Sequence, residues 1–289
     1  MKKIFNLIIN PLANVENESF QFKLGFWKGL GALCIMFLLT IFFTIFSSII
    51  LGDNPVLGKY TVIGIVEIIS IPLLIFILTN TFGKLRWKKN TYKKVNKKLL
   101  LFIILLILVF RLLFDAYIYP LVSLLPENEV LNETSELLEH NLLYLIISAC
   151  FYAPIVEEVV FRGIILGGLL KKYSPKIALP ISAFLFAFAH LNLQQGINAF
   201  LLGIVLGYIY YKTKSIYLTI FGHFSNNVLA FLVYIPSGMT GLILNLVIST
   251  VICVPIIILL KKKFTLNYEE HLVSTLNPNK KIFLFEEIE

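Results

Sequence analysis

The sequence predicts an all-α, polytopic membrane helical bundle of about eight transmembrane helices with both termini cytoplasmic, and three observations predict it. Of its 289 residues, 58% are hydrophobic and only 15% are charged, whereas a typical soluble domain carries about 25% charged residues. The apolar residues gather into runs that match the roughly 20 helical residues needed to cross about 30 Å of hydrocarbon. The lysines and arginines alternate between connecting segments, as cytoplasmic loops require. Too little polar surface remains to cover a water-exposed globule, which excludes soluble enzymes and disordered chains.

The elements follow in order. Residues 1–29 read as an interfacial N-terminal segment: two lysines and a short apolar stretch precede Pro11 and the polar run Asn14–Ser19, without the small-residue cleavage site of a signal peptide. No charge lies between Lys28 and Asp53, which predicts a first span near 30–51. A second is expected near 60–80 and a third near 99–119. The fourth, near 142–170, is long enough to tilt, and Pro154 within it predicts a kink. The 35 residues between Lys176 and Lys212 contain no Lys, Arg, Asp or Glu, and the polar turn Asn192–Gly196 divides them into two short helices. Between Lys214 and Lys261, 46 residues hold only His223 as an acid or base near neutral pH, with a break at Pro236-Ser237-Gly238. The transmembrane domain is therefore expected at 30–263, its polar core at about 142–236, and a cytoplasmic tail at 264–289.

Basic residues cluster before span one, between spans two and three (Lys84 to Lys98), after span four (Lys171, Lys172, Lys176) and at Lys212, Lys214 and Lys261–Lys263. The opposite loops hold only Lys59, and the loop before span four carries Glu127, Glu129, Glu133, Glu136 and Glu139. The net charge of +8 is thus a topogenic signal that also suits anionic membrane lipid, and no nucleic-acid partner is expected. Cys34, Cys150 and Cys253 each sit in an apolar run with no CxxC, so no disulfide framework is indicated. The C-terminal residues Phe285–Glu289 lack a prenylation cysteine.

An ionisable group inside a membrane is costly and marks function by default. Here the group comprises Glu67, Arg111, Asp115, Glu157, Glu158, Arg162, His190 and His223. Arg111 and Asp115 are four residues apart, on one helical face, and can neutralise each other. Glu67 has no local partner and is left unassigned. Glu157 and Glu158 diverge by about 100° on a helix of 3.6 residues per turn, so both cannot face Arg162. The i,i+4 spacing gives Glu158 to Arg162 and leaves Glu157 to take a proton from water. A packing network in a transporter or scaffold is the other reading of this helix. His190 ends the run Phe186–His190, with Phe186 one turn earlier on the same face. His223 and Asn227, four apart, can converge on one oxygen atom as an oxyanion site.

Together these are the parts needed to hydrolyse a peptide bond. Glu157-Glu158-Val159-Val160-Phe161-Arg162-Gly163, then Phe186–His190, then His223–Asn227 resemble the three ordered motifs of the CPBP family of intramembrane proteases, over roughly residues 150–232. That family includes the type II CAAX prenyl endopeptidases and the bacterial bacteriocin-processing or self-immunity proteins often called Abi. The resemblance implies that Glu157 and His190 bind and activate water, that His223 and Asn227 stabilise the tetrahedral intermediate, and that Glu158 with Arg162 supports them. Asn226 is the alternative to Asn227 if the seventh span is rotated. One glutamate and two histidines could alternatively hold a divalent metal such as Zn²⁺ through Glu157, His190 and His223. The helical His-Glu-x-x-His arrangement is missing, and an oxyanion role for His223 with Asn227 favours chemistry without a metal.

Glu157 and His190 are each about 14 residues from the nearest cytoplasmic lysine, or roughly 20 Å at 1.5 Å per residue. Water must then reach a buried site, and the segment around Asn192, Gln194 and Gln195 is the expected breach. The function expected is an integral membrane endopeptidase, of glutamic or metallo type, acting on a membrane-associated peptide or protein, in a bacterial plasma membrane. A non-catalytic membrane scaffold or regulator is the alternative, and a transporter the weaker rival, since no inverted repeat is visible. Substrate and oligomeric state are not readable.

Overall fold

The computed structural model describes residues 20–51, 69–70, 72–78, 80–85, 97–126, 142–232 and 238–276. Glu67, Lys59 and the acidic loop before span four lie outside the described residues. Among those described, the helices are α1 (Phe26–Leu51), α2 (Pro72–Phe82), α3 (Lys97–Val122), α4 (Leu142–Leu169), α5 (Pro175–Ala189), α6 (Leu193–Thr213), α7 (Ile216–Leu232) and α8 (Gly238–Leu276). Five of them, α1, α3, α4, α6 and the Gly238–Leu260 part of α8, are long and apolar enough to cross a membrane, while α2, α5 and α7 are shorter apolar helices. Outward faces such as Leu38, Phe42 and Phe46 on α1 and Val247, Val251 and Ile258 on α8 are apolar and exposed, as lipid contact demands. The protein is an all-α, polytopic membrane bundle.

One short strand pair accompanies the helices: β1 (Phe20–Phe22) runs antiparallel to β2 (Gly83–Leu85), with Gln21 opposite Lys84. Its logic is local burial with a period of two, since Phe22 and Leu24 are both buried. The Leu24 N–H donates to the Gly168 carbonyl at 3.2 Å. A side chain at Gly168 would place its Cβ 2.6 Å from Leu24 Cγ, so only glycine allows this approach.

The chain divides into two compact units, residues 1–91 with 125–227, and 92–124 with 228–289. The first is built on the apolar face of α4, where Val159, Val160, Phe161, Ile164, Ile165 and Leu166 are all buried. Helices α5 and α6 pack closely because a Cβ at Gly203 would lie 3.0 Å from that of Ala183. In the second unit α3 packs on α8. The Arg111–Asp115 ion pair forms as its spacing predicts, with Nε to Oδ2 at 2.6 Å and Asp115 buried.

Two helices widen at a proline. In α4 the residues Ser148–Tyr152 form a π turn, and the Ala153 N–H donates to the Ser148 carbonyl five residues back. In that register the Ala149 carbonyl should meet position 154, but Pro154 has no N–H to offer. The carbonyl is instead taken by Asn227 Nδ2 at 2.7 Å. The same arrangement recurs in α3, where Phe114–Ile118 is a π turn followed by Pro120. There the orphaned Asp115 carbonyl accepts from Asn245 Nδ2 of α8 at 3.2 Å. The kink expected at Pro154 is therefore a wide turn whose freed carbonyl anchors a neighbouring helix.

The polar turn expected over Asn192–Gly196 is shorter than its composition suggests. Helix α5 ends at Ala189, Leu191 takes a left-handed conformation (φ 51°), and α6 already begins at Leu193. Asn192 is the reason, since its side chain accepts the Gln195 N–H at 3.1 Å and caps the new helix. Gln194 then reaches the Leu125 carbonyl at 2.8 Å through Nε2.

Candidate active site

Glu157 and Glu158 sit between two widened stretches of α4, the π turn Ser148–Tyr152 and the π-helical run Val159–Leu166. Such wide turns re-aim side chains and are frequent at functional sites. Glu158 and Arg162 are fully buried and joined Nη1 to Oε1 at 2.8 Å, as their spacing predicts. The second Arg162 nitrogen, Nη2, reaches the Gly203 carbonyl at 3.4 Å. The guanidinium carbon lies 4.5 Å from the centre of the Phe186 ring, a cation–π contact.

Helix α7 brings His223 onto the same carboxylate. Its Nδ1 lies 2.8 Å from Glu158 Oε1, the oxygen that also accepts from Arg162, and His223 is buried. Its other nitrogen, Nε2, is 3.7 Å from Glu157 Oε2. The two carboxylates thus flank one imidazole although they diverge on α4. Glu157 differs from Glu158 in access: its side chain keeps 25% of its exposure where that of Glu158 keeps none.

His190 joins this group through Phe186. The ring of Phe186 meets His190 edge-on at 4.9 Å and His223 edge-on at 5.8 Å between centroids. His190 Nδ1 is 2.9 Å from the Phe186 carbonyl, an acceptor, so that nitrogen donates, and in the neutral ring Nε2 then carries the lone pair. Asn227 is held on both sides, giving one N–H to Ala149 and accepting from Asn226 Nδ2 at 3.0 Å. One amide hydrogen of Asn227 remains. Asn226 itself is buried and serves Asn227 as a neighbour.

Two parts of this arrangement escape a reading of titratable residues. Phe186 is the common platform under Arg162, His190 and His223; its i,i+4 relation to His190 is the signal that points to it. Ser182 Oγ donates to the Phe161 carbonyl at 3.0 Å and ties α5 to the widened part of α4, and nothing in its apolar surroundings singles it out. Arg111 and Asp115 belong to the other unit. Among the described residues no three His, Cys, Asp or Glu side chains converge at metal-binding spacing. No step below is routed through a metal.

Residues 139–229 match the family model described as type II CAAX prenyl endopeptidase Rce1-like. Over 83 residues the chain is 34% identical to the "Putative membrane peptidase YdiL" of Bacillus subtilis (strain 168), a stretch covering 29% of this chain and 34% of that protein. The chain thus spans about a third of the length of the curated relative it matches. No solved structure matches. The resemblance carried by the three motifs is borne out, and the matched segment contains the whole of the candidate site from Ala149 to Asn227.

Proposed function

We propose that this protein is an intramembrane endopeptidase that hydrolyses a peptide bond in a membrane-associated protein or peptide, with Glu157 as the base that takes a proton from the attacking water. The observation that carries the reading is the pairing of an accessible carboxylate with a buried one around a single histidine, Glu157 at 3.7 Å and Glu158 at 2.8 Å. Glu158, neutralised by Arg162, is committed to structure. Glu157 has no Lys or Arg ion pair among the described residues and keeps a quarter of its side-chain exposure.

His190 presents Nε2 as an acceptor and orients the water whose proton goes to Glu157. Attack on the carbonyl carbon moves charge to its oxygen. The remaining N–H of Asn227 and the Nε2 of His223, once protonated, stabilise that oxygen as an oxyanion hole does. Collapse of the tetrahedral intermediate breaks the C–N bond and releases a carboxylic acid and an amine. The host membrane is a bacterial plasma membrane on this reading, and the substrate is drawn from proteins or peptides already in it.

A comparison of peptide termini in membranes of host cells carrying wild type or Glu157→Ala at equal, verified levels tests the proposal. A set of termini present with wild type and absent with the variant is the expected result. Identical termini, together with rescue of a deletion phenotype by Glu157→Ala, would replace it with the scaffold role.

A further inference from the structure

Glu158 does more than neutralise Arg162, because it dictates which nitrogen of His223 carries hydrogen. Its Oε1 accepts from Arg162 Nη1 at 2.8 Å and lies 2.8 Å from His223 Nδ1. An ion-paired carboxylate oxygen only accepts, so the imidazole nitrogen facing it must be the donor. Nδ1 therefore holds a hydrogen, and in the neutral ring that leaves Nε2, 3.7 Å from Glu157 Oε2, as the bare nitrogen. A bare nitrogen cannot donate to an oxyanion. It can accept a proton, and the group beside it is the one that has just taken a proton from water.

We infer that Glu158 is the positioning residue that makes His223 a proton relay, receiving at Nε2 the proton that Glu157 takes from water and delivering it to the leaving amine. This rests on the endopeptidase reading for its chemistry. The steps balance: water loses one proton to Glu157 as its oxygen bonds to the carbonyl carbon. The proton passes to Nε2, turning the ring into an imidazolium held by Glu158 through Nδ1–H. In that state Nε2–H serves the developing oxyanion. As the C–N bond breaks, its electron pair stays on nitrogen and takes the proton from Nε2, and Glu157 and His223 return to their starting forms. The buried geometry supports this order, since Arg162 is held under Glu158 by the Phe186 ring and the Gly203 carbonyl. Glu158 Oε1 is thereby shared between Arg162 and His223.

The test needs no substrate. The chain has four histidines, His140, His190, His223 and His271, so ring-¹⁵N labelling of the full-length protein in lipid bilayers gives a spectrum that His223→Gln assigns by deletion. Near neutral pH the wild-type His223 ring is expected as a single neutral tautomer with hydrogen on Nδ1. Glu158→Gln, or Glu158→Asp if the first variant does not fold, is expected to lose that single signature and give mixed tautomers while the His190 signals stay in place. Hydrogen on Nε2 with a bare Nδ1, or a doubly protonated ring at rest, would overturn the inference. So would an unchanged His223 signature in a folded Glu158 variant. The protease reading is judged separately by the Glu157-dependent termini, so either can fail alone.

Discussion

Replacing Arg162 by methionine keeps much of the side-chain volume and removes the charge, which isolates what the cation contributes. Arg162 and Glu158 are 1% and 0% exposed at the side chain, and their 2.8 Å contact sets the two buried charges against each other. Breaking a buried pair from one side costs about 3–5 kcal/mol, because the surviving charge stays in an apolar site. Loss of the cation–π contact with Phe186 at 4.5 Å adds about 0.5–2 kcal/mol. Arg162→Met should therefore destabilise by about 3.5–7 kcal/mol. Glu158→Gln alone should also be costly, since it strands the guanidinium. The double variant removes both charges and should be more stable than the sum of the single changes by about 2–3 kcal/mol. Reversible unfolding of the four proteins in one lipid–detergent mixture gives the double-mutant cycle. Additivity within about 0.5 kcal/mol would refute the claim that Glu158 and Arg162 act as a buried unit.

Glu157→Gln should leave the unfolding free energy within about 0.5 kcal/mol of wild type, since the side chain is partly exposed and the ring nitrogen nearest it, His223 Nε2, is 3.7 Å away. The same change should lower turnover about 10²–10⁴-fold as the general base is lost, measured on any peptide found to depend on the enzyme. Pro154→Ala restores an N–H that can claim the Ala149 carbonyl, so Asn227 loses its 2.7 Å anchor. Turnover should fall by up to about 10²-fold, toward the loss expected for a removed oxyanion donor, in a protein that still unfolds cooperatively. Dialysis against a strong chelator should not lower turnover, and elemental analysis should find less than one zinc per chain; stoichiometric zinc that disappears in His190→Ala would contradict the assignment.

Much of the site is legible in the sequence because its parts are spaced by single helical turns. Glu158 with Arg162, Arg111 with Asp115 and Phe186 with His190 all lie four residues apart, and each pair meets as helix geometry requires. Spacing within one helix cannot tell which distant helix arrives on the other side. Glu158 was assignable to Arg162, but its second bond, to His223, spans 65 residues and depends on how α7 packs on α4. The anchor of Asn227 is hidden for a related reason. Pro154 announces a disturbance, yet which carbonyl it frees depends on the register of the π turn, a property of the folded helix. The polar run Asn192–Gly196 misleads in the opposite direction, since polarity marks a loop and a capped first turn equally well. The β1–β2 pairing joins two three-residue segments far apart in sequence, and such short strands carry no periodic signal.

The central claim, hydrolysis by Glu157-activated water, is tested most directly by isotope. Membranes containing wild type or Glu157→Gln are incubated in water enriched in oxygen-18, and the carboxyl groups of newly formed peptide C-termini are read by mass spectrometry. The account predicts heavy oxygen in the new carboxylates of wild-type membranes and no such labelled termini with the variant. Labelled termini that form equally with Glu157→Gln would contradict it.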